Sequence, residues 1–328
     1  MPLFAPDTAD DQDGCFARPS GKSRAAIHAN VKQLAHIEPT RTAASLLESW
    51  LIIGAVLVVC WTYRTPWILG AAFVLIGALQ YRLLILLHDA QHSLLHPKRA
   101  VNDRLGFWLL AAPCGSSFYP SRRLHLLHHQ NLGDRTVDPD FHFYCSDAPA
   151  PKRPFWYFVK YFGELASGLQ VIRDLFRRYH QPVSRLPGEG EPTGLRLLLS
   201  VAFVQFAFLF AFAAAGWWWG YFLLWALPLV TLAALLNGVR TFCDHAIVGP
   251  DVPPEERDLI SYASNPLERF FFAPYHMNYH AEHHFFPYVP HYNLPRLRAI
   301  LRGAPEYEAA IQWRQTYLGF LWRYIRAG

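Results

Sequence analysis

"PWILGAAFVLIGALQYRLLILLHDAQH", residues 66–92, decides the fold. Its first part, residues 66–87, is an apolar run, and a helix that crosses a bilayer needs about 20 such residues. The run passes, with no turn residue, into His88 and His92. If the helix continues out of the membrane, spacing i, i+4 puts both imidazoles on one face. Upstream lies a second run, "SLLESWLIIGAVLVVCWTY" at 45–63, separated by only Arg64 and Thr65. A second pair of runs follows at 197–215 and 217–238, separated by Gly216. Each pair is predicted to be a helical hairpin. A buried soluble helix pair is the competing reading, and span length argues against it.

Working outward, the chain has 328 residues, 52% hydrophobic and 16% aromatic. Length alone would allow two soluble domains, but the four apolar runs override that. Arg64 is the one Lys or Arg in the two hairpin tips, so the positive-inside rule places both termini and the middle segment in the cytoplasm. Trp217, Trp218 and Trp219 stand at a tip, where an interfacial aromatic belt belongs. The net charge of +5 is spread without a long basic run, which fits anionic headgroups and not nucleic acid. Cys15, Cys60, Cys114, Cys145 and Cys243 form no CxxC, so neither a disulfide framework nor a zinc ribbon is implied. Residues 1–43 are polar, lack a signal-peptide core and are predicted to be a loosely ordered arm. Residues 44–328 are predicted to be one domain, with cytoplasmic segments 88–196 and 239–328. The expected fold is an all-α membrane protein: four transmembrane helices in two hairpins under a helical cytoplasmic cap.

The histidines cluster in those cytoplasmic segments. His125, His128 and His129, in "HLLHH", have i, i+3, i+4 spacing, and His280, His283 and His284, in "HAEHH", repeat it. His245 follows the fourth run. With His88 and His92 this makes nine imidazoles, where a single tetrahedral zinc takes four. Nine is a supply for two metals; imidazole suits iron, zinc or copper, and spacing alone does not select iron. His28, His36, His180 and His291 read as surface or capping residues. His96, His142 and His276 flank the clusters and read as outer partners or surface residues. Asp89, Asp244 and Glu282 each adjoin a histidine, and Asp138 and Asp140 lie in a turn-rich stretch. Each either fixes an imidazole tautomer from behind or is a solvated or capping group.

"HDAQH", "HLLHH" and "HAEHH" in this order, after runs two and four, resemble the histidine boxes of the membrane fatty acid desaturase superfamily. "DPD" after the second box and "NYHAEHHFFPYVPHYNLPRL" in the tail strengthen the likeness, which covers about residues 45–305. The resemblance implies two iron ions bound by His88, His92, His125, His128, His129, His245, His280, His283 and His284, with molecular oxygen as co-substrate. It adds Asn278 and Thr241 to the outer candidates. Thr241 stands where some relatives carry an asparagine that reaches iron through water. The three-residue spacing inside the first box matches the branch that holds bacterial lipid desaturases and carotenoid oxygenases.

The implied activity is oxygen-dependent desaturation of a fatty acyl or other lipid chain. Hydroxylase, ketolase or acetylenase chemistry on a carotenoid, sphingolipid or specialised acyl substrate is the alternative on the same scaffold. From other classes, a metal transporter would place polar groups at mid-membrane, and a haem protein would need only one or two axial histidines. Residues 107–113 and 268–279 are candidate walls of an apolar slot, although no individual substrate residue is assigned. Residues 154–179 carry an apolar stripe at 158, 162, 165, 169, 172 and 176 and are predicted to lie on the bilayer. The sequence has no dinucleotide fingerprint and no fused cytochrome segment, so a separate ferredoxin, or b-type cytochrome with its reductase, is expected to supply electrons. Arg122 and Arg123 either dock that donor or meet lipid phosphates.

Overall fold

The computed structural model describes residues 22–134, 136–141, 154–180, 194–246 and 259–327. In chain order its main helices are α1 (Lys22–Lys32), α2 (Pro39–Tyr63), α3 (Pro66–Gln91), α4 (Arg99–Leu105), α5 (Phe118–Asn131), α6 (Phe155–Ala166), α7 (Leu169–His180) and α8 (Gly194–Ala214). Then come α9 (Trp218–His245), strand β1 (Leu259–Tyr262), α10 (Pro266–Phe271), α11 (His280–Phe285), α12 (Leu294–Leu301), α13 (Pro305–Ala310), strand β2 (Ile311–Arg314) and α14 (Tyr317–Ala327). Helices α2, α3, α8 and α9 are long and apolar enough to cross a membrane. The chain divides into two compact units. One is Glu38–Arg123 with Lys160–Gly238; the other is Met1–Ile37, Leu124–Val159 and Val239–Gly328.

The first unit holds the spans. Pro39 and Pro66 open α2 and α3, where a missing N–H costs nothing. Arg64 adopts a left-handed conformation (φ 38°) to end α2. Polar groups inside this unit are used to satisfy backbone. Pro228 cannot donate within α9, and the helix widens on both sides of it into π-type turns at Phe222–Ala226 and Leu229–Ala233. Gln80, buried in α3, donates to the Trp225 carbonyl there (2.8 Å). Gln205 donates to the carbonyls of Ala112 (2.6 Å) and Pro113 (2.9 Å), and accepts from the Tyr221 hydroxyl (2.8 Å). These bonds fix the segment after α4, where Gly106–Ala111 is again a π-type turn. In that predicted wall, Phe107, Leu110, Ala111 and Ala112 are buried whereas Trp108 and Leu109 are exposed.

The second unit holds most of the histidines. The predicted arm is partly a folded element: Ile27, Val31 and Leu34 follow i, i+4, i+7 spacing and pack with Phe286, Leu294, Leu297 and Leu301. Asn293 Nδ2 donates to the Leu34 carbonyl (2.8 Å), and His28 sits edge-on to Phe286. The all-α expectation also needs one correction. β1 and β2 pair in parallel, with Leu259 opposite Ile311 and Tyr262 opposite Arg314. Glu268, itself buried, accepts from the backbone N–H groups of Tyr317 (3.2 Å) and Leu318 (3.0 Å), so its carboxylate caps α14. Glu268→Ala leaves the buried Tyr317 donor unpaired and is expected to lower stability by about 1–3 kcal/mol, read as earlier thermal unfolding in detergent.

The predicted single interfacial helix is two. α6 and α7 break at Gly168, whose φ is +77°. Phe158 and Leu165 are buried, while Leu169, Ile172 and Phe176 are exposed. His36 is exposed, as expected, but His291 is buried and packs edge-on to Tyr275. His142 lies outside the described residues, as does the His180 side chain.

Candidate metal centre

The second box lies on α5, whose helical repeat puts His125, His128 and His129 on one face. Asp138 orients the middle one: its Oδ1 is 2.9 Å from His128 Nδ1. The carboxylate is itself fixed by the N–H groups of Gly133 (2.9 Å, to Oδ2) and Asp140 (2.9 Å, to Oδ1). This turn accounts for "DPD" after the box. Burial pushes the His128 imidazole down, but the Asp138 charge and hydrogen bond outweigh it and hold it above its ordinary value. With the proton on Nδ1, Nε2 is left as the ligand atom. Asp140 contributes its backbone to the turn.

The third box is a short helix, α11, every residue of which is buried. Tyr275 and His276 enter it with left-handed backbone (φ 55° and 61°), a strained approach for two residues with side chains. The strand β1 holds the box in place. Asn278 exchanges hydrogen bonds with the Tyr262 backbone (both 2.8 Å). Ser261 Oγ accepts from the Ala281 N–H (3.0 Å) and donates to Glu282 Oε2 (2.5 Å). Arg298 Nε lies 3.3 Å from the other Glu282 oxygen. Burial raises the Glu282 carboxyl above its usual range, against the Ser261 hydrogen bond. Glu282 and Asn278 therefore anchor the box to the strand; neither of these contacts is to an imidazole.

Within this unit the imidazoles meet through their ring nitrogens. His245 Nε2 and His280 Nε2 are 3.0 Å apart, and His129 Nε2 and His283 Nε2 are 3.3 Å apart. Two imidazoles sharing one ion at metal–nitrogen distances of about 2.0–2.1 Å would stand about 3 Å apart, so each pair has the spacing of two ligands on one metal. The ligand atoms of His128, His245 and His284 all lie within 4.8 Å of one another, as do those of His125, His129 and His283. Burial pushes the His280 imidazole well below its ordinary range, and His284 and Arg240 push the same way. A neutral imidazole is the ligand form.

His88 and His92 belong to the other unit. α3 does continue past the apolar run, to Gln91, and the two rings meet edge-on at the helix end, centroids 5.1 Å apart. Asp89 Oδ1 is 3.9 Å from His88 Nδ1, too far for a hydrogen bond. Thr241 sits half-buried one turn before His245. His96 accepts from the Lys98 N–H (2.9 Å), and His276 is exposed.

Three residues went unread in the sequence. Ser261 and Arg298 support Glu282. Arg240 pairs with Asp244 (2.6 Å) and places Nη2 2.8 Å from His280 Nδ1. The signal for Arg240 was its position one helical turn before Asp244. Arg122 needs correcting: it is buried, bonded to Asp103 (2.7 Å) and the Ala90 carbonyl (2.9 Å), and covers the Phe118 ring. A guanidinium so enclosed does not dock a partner or a headgroup. Arg123 is half-buried.

Four helices of membrane-crossing length and histidine clusters able to hold metal are the class features that the described residues show. The Fatty acid desaturase family model matches residues 65–316, and the chain belongs to that family. It is similar to mouse sphingolipid delta(4)-desaturase/C4-monooxygenase DES2, with 26% identity covering 84% of this chain and 80% of the relative. It is similar to dihydrorhizobitoxine desaturase of Bradyrhizobium elkanii, with 27% identity over 86% and 82%. Beta-carotene ketolase of Paracoccus sp. (strain PC1) is 28% identical over 78% of this chain and 90% of its own. As a member of this family the chain is an oxidoreductase.

Proposed function

We propose that the chain is an oxygen-dependent fatty acyl or lipid desaturase with a histidine-ligated di-iron centre. The observation that carries the reading is the pair of facing imidazole contacts, His245–His280 and His129–His283, buried in a chain of the desaturase family. One iron is assigned to His128, His245, His280 and His284. The other is assigned to His125, His129 and His283, and His88 and His92 are proposed as iron ligands by resemblance to the family's first histidine box. Two irons, when bound, supply the oxygen activation needed to remove hydrogen from an unactivated methylene.

The protein's own part is orientation and burial of the imidazoles. Asp138 holds His128 with Nε2 free. The strand β1 fixes α11, so that three imidazoles are presented from one rigid turn. His128, His129, His245, His280, His283 and His284 are buried, which favours neutral imidazoles as ligands. The four spans are proposed to form two hairpins beneath a cytoplasmic cap, with both termini cytoplasmic. Reporter fusions at each end should be active only inside the cell; an externally active fusion at either end would contradict this topology.

Electrons are proposed to come from a separate ferredoxin, or a b-type cytochrome with its reductase. The assay supplies reduced donor, oxygen and labelled acyl chains to the protein in nanodiscs. Products lighter by two hydrogens are expected. The second reading, hydroxylation or ketone formation, draws on relatives whose names include a C4-monooxygenase and a ketolase. Products heavier by one oxygen on every accepted substrate would establish hydroxylation instead, and products that gain one oxygen and lose two hydrogens would establish ketone formation. Turnover without oxygen would dismiss both.

A further inference from the structure

We propose that His280 is a conditional ligand, released to or withheld from the metal by the Arg240–Asp244 pair, so that Arg240 is a positioning residue of the centre. The proposal rests on the di-iron reading above and adds an unequal standing among its histidines.

The two imidazoles His128 and His280 are backed by groups of opposite kind. Behind His128 Nδ1 is a carboxylate, Asp138, at 2.9 Å. It accepts the Nδ1 proton and leaves Nε2 with a lone pair. Behind His280 Nδ1 is the Arg240 guanidinium, at 2.8 Å. Arginine has donors only, so this hydrogen bond requires the lone pair on Nδ1. A neutral His280 then carries its proton on Nε2, the nitrogen that faces His245 Nε2 at 3.0 Å. In that tautomer Nε2 donates a hydrogen bond to His245 and has no lone pair for a metal.

The alternative partner is already beside it. Asp244 Oδ2 lies 3.7 Å from His280 Nδ1 and is held by Arg240 Nε at 2.6 Å. A shift of about 1 Å would bring that carboxylate into hydrogen-bond range of Nδ1. Nδ1 would then hold the proton and Nε2 would be free to bind. The arrangement of the other histidines fits this division. His128, His245 and His284 bring their ligand atoms within 4.8 Å of one another, and His280 stands outside that group. Three imidazoles are thus preset on one metal, and a fourth exchanges. Such a position is what a catalytic metal needs and a closed structural site lacks.

The test uses the full-length protein in detergent, loaded with iron or with cobalt(II). Metal per chain, the rate of release to a chelator, and the cobalt d–d spectrum as a measure of coordination number are recorded for wild type and variants. His128→Ala should lose one of the two metals. His280→Ala should keep both and release one about tenfold faster, with the cobalt spectrum of a lower coordination number. Asp244→Asn should behave as His280→Ala does. Arg240→Met should leave Nδ1 to Asp244 alone and slow release of that metal about tenfold. Loss of a metal in His280→Ala as complete as in His128→Ala would overturn the proposal, as would wild-type release kinetics in Arg240→Met. If Arg240→Met fails to fold, a wild-type cobalt spectrum in both His280→Ala and Asp244→Asn would overturn it on its own. A wild-type chain that binds no metal would overturn the di-iron reading and the proposal together.

Discussion

His128→Ala is expected to abolish turnover and remove one of the two metals, while the protein still inserts into the membrane. His128 is buried, sits on the inner face of α5 and lies with His245 and His284 in one group of ligand atoms. No neighbouring side chain supplies an imidazole nitrogen from the same position. The loss in turnover should exceed the roughly 100-fold that marks the upper range for residues that merely orient ligands. Insertion should survive because the spans α2, α3, α8 and α9 draw their stability from apolar surface. His36→Ala is the matched control: this histidine is exposed and should leave both activity and metal content unchanged. Normal turnover in His128→Ala would refute the assignment of ligands.

The second large effect is expected at Asp138. Its carboxylate accepts from His128 Nδ1, Gly133 N and Asp140 N, so Asp138→Ala removes the acceptor for three groups at once. Metal affinity at the His128 site should fall by about 10–100-fold, measured as faster release to a chelator. Asp138→Asn should fall between alanine and wild type. Its amide oxygen can still accept from the imidazole, but its NH₂ then opposes the Gly133 N–H. Release unchanged in Asp138→Ala would show that the turn, and not the carboxylate, orients His128. Asp140→Ala should have a smaller effect, because it keeps the backbone N–H bond to Asp138 and removes a charge that acts on His128 less than Asp138 does.

Much of this was legible in the sequence because two signals dominate. Apolar length marks the spans, and the structure places helices over all four. Their ends differ because the helices run on past the apolar runs: α3 reaches Gln91, and α9 reaches His245. Same-face spacing gathered His125, His128 and His129, and then His280, His283 and His284. What escaped depends on residues far apart in the chain. Neither "LISY" nor "IQWR" is long enough to declare a strand, and each is stable only through the other, some fifty residues away. The packing of Ile27, Val31 and Leu34 against α12 hides behind a polar composition. Among the acidic candidates, spacing could not separate Asp138, which touches an imidazole, from Glu282, which binds Ser261 and Arg298. Arg240 escaped because a basic residue on a helix near a membrane exit reads as a headgroup contact. Only the fold turns it toward His280.

The central claim is the metal content, and elemental analysis of the purified wild-type chain after iron-replete expression tests it most directly. The account predicts two irons per chain, falling to one in His128→Ala. One zinc per chain with no iron would contradict it.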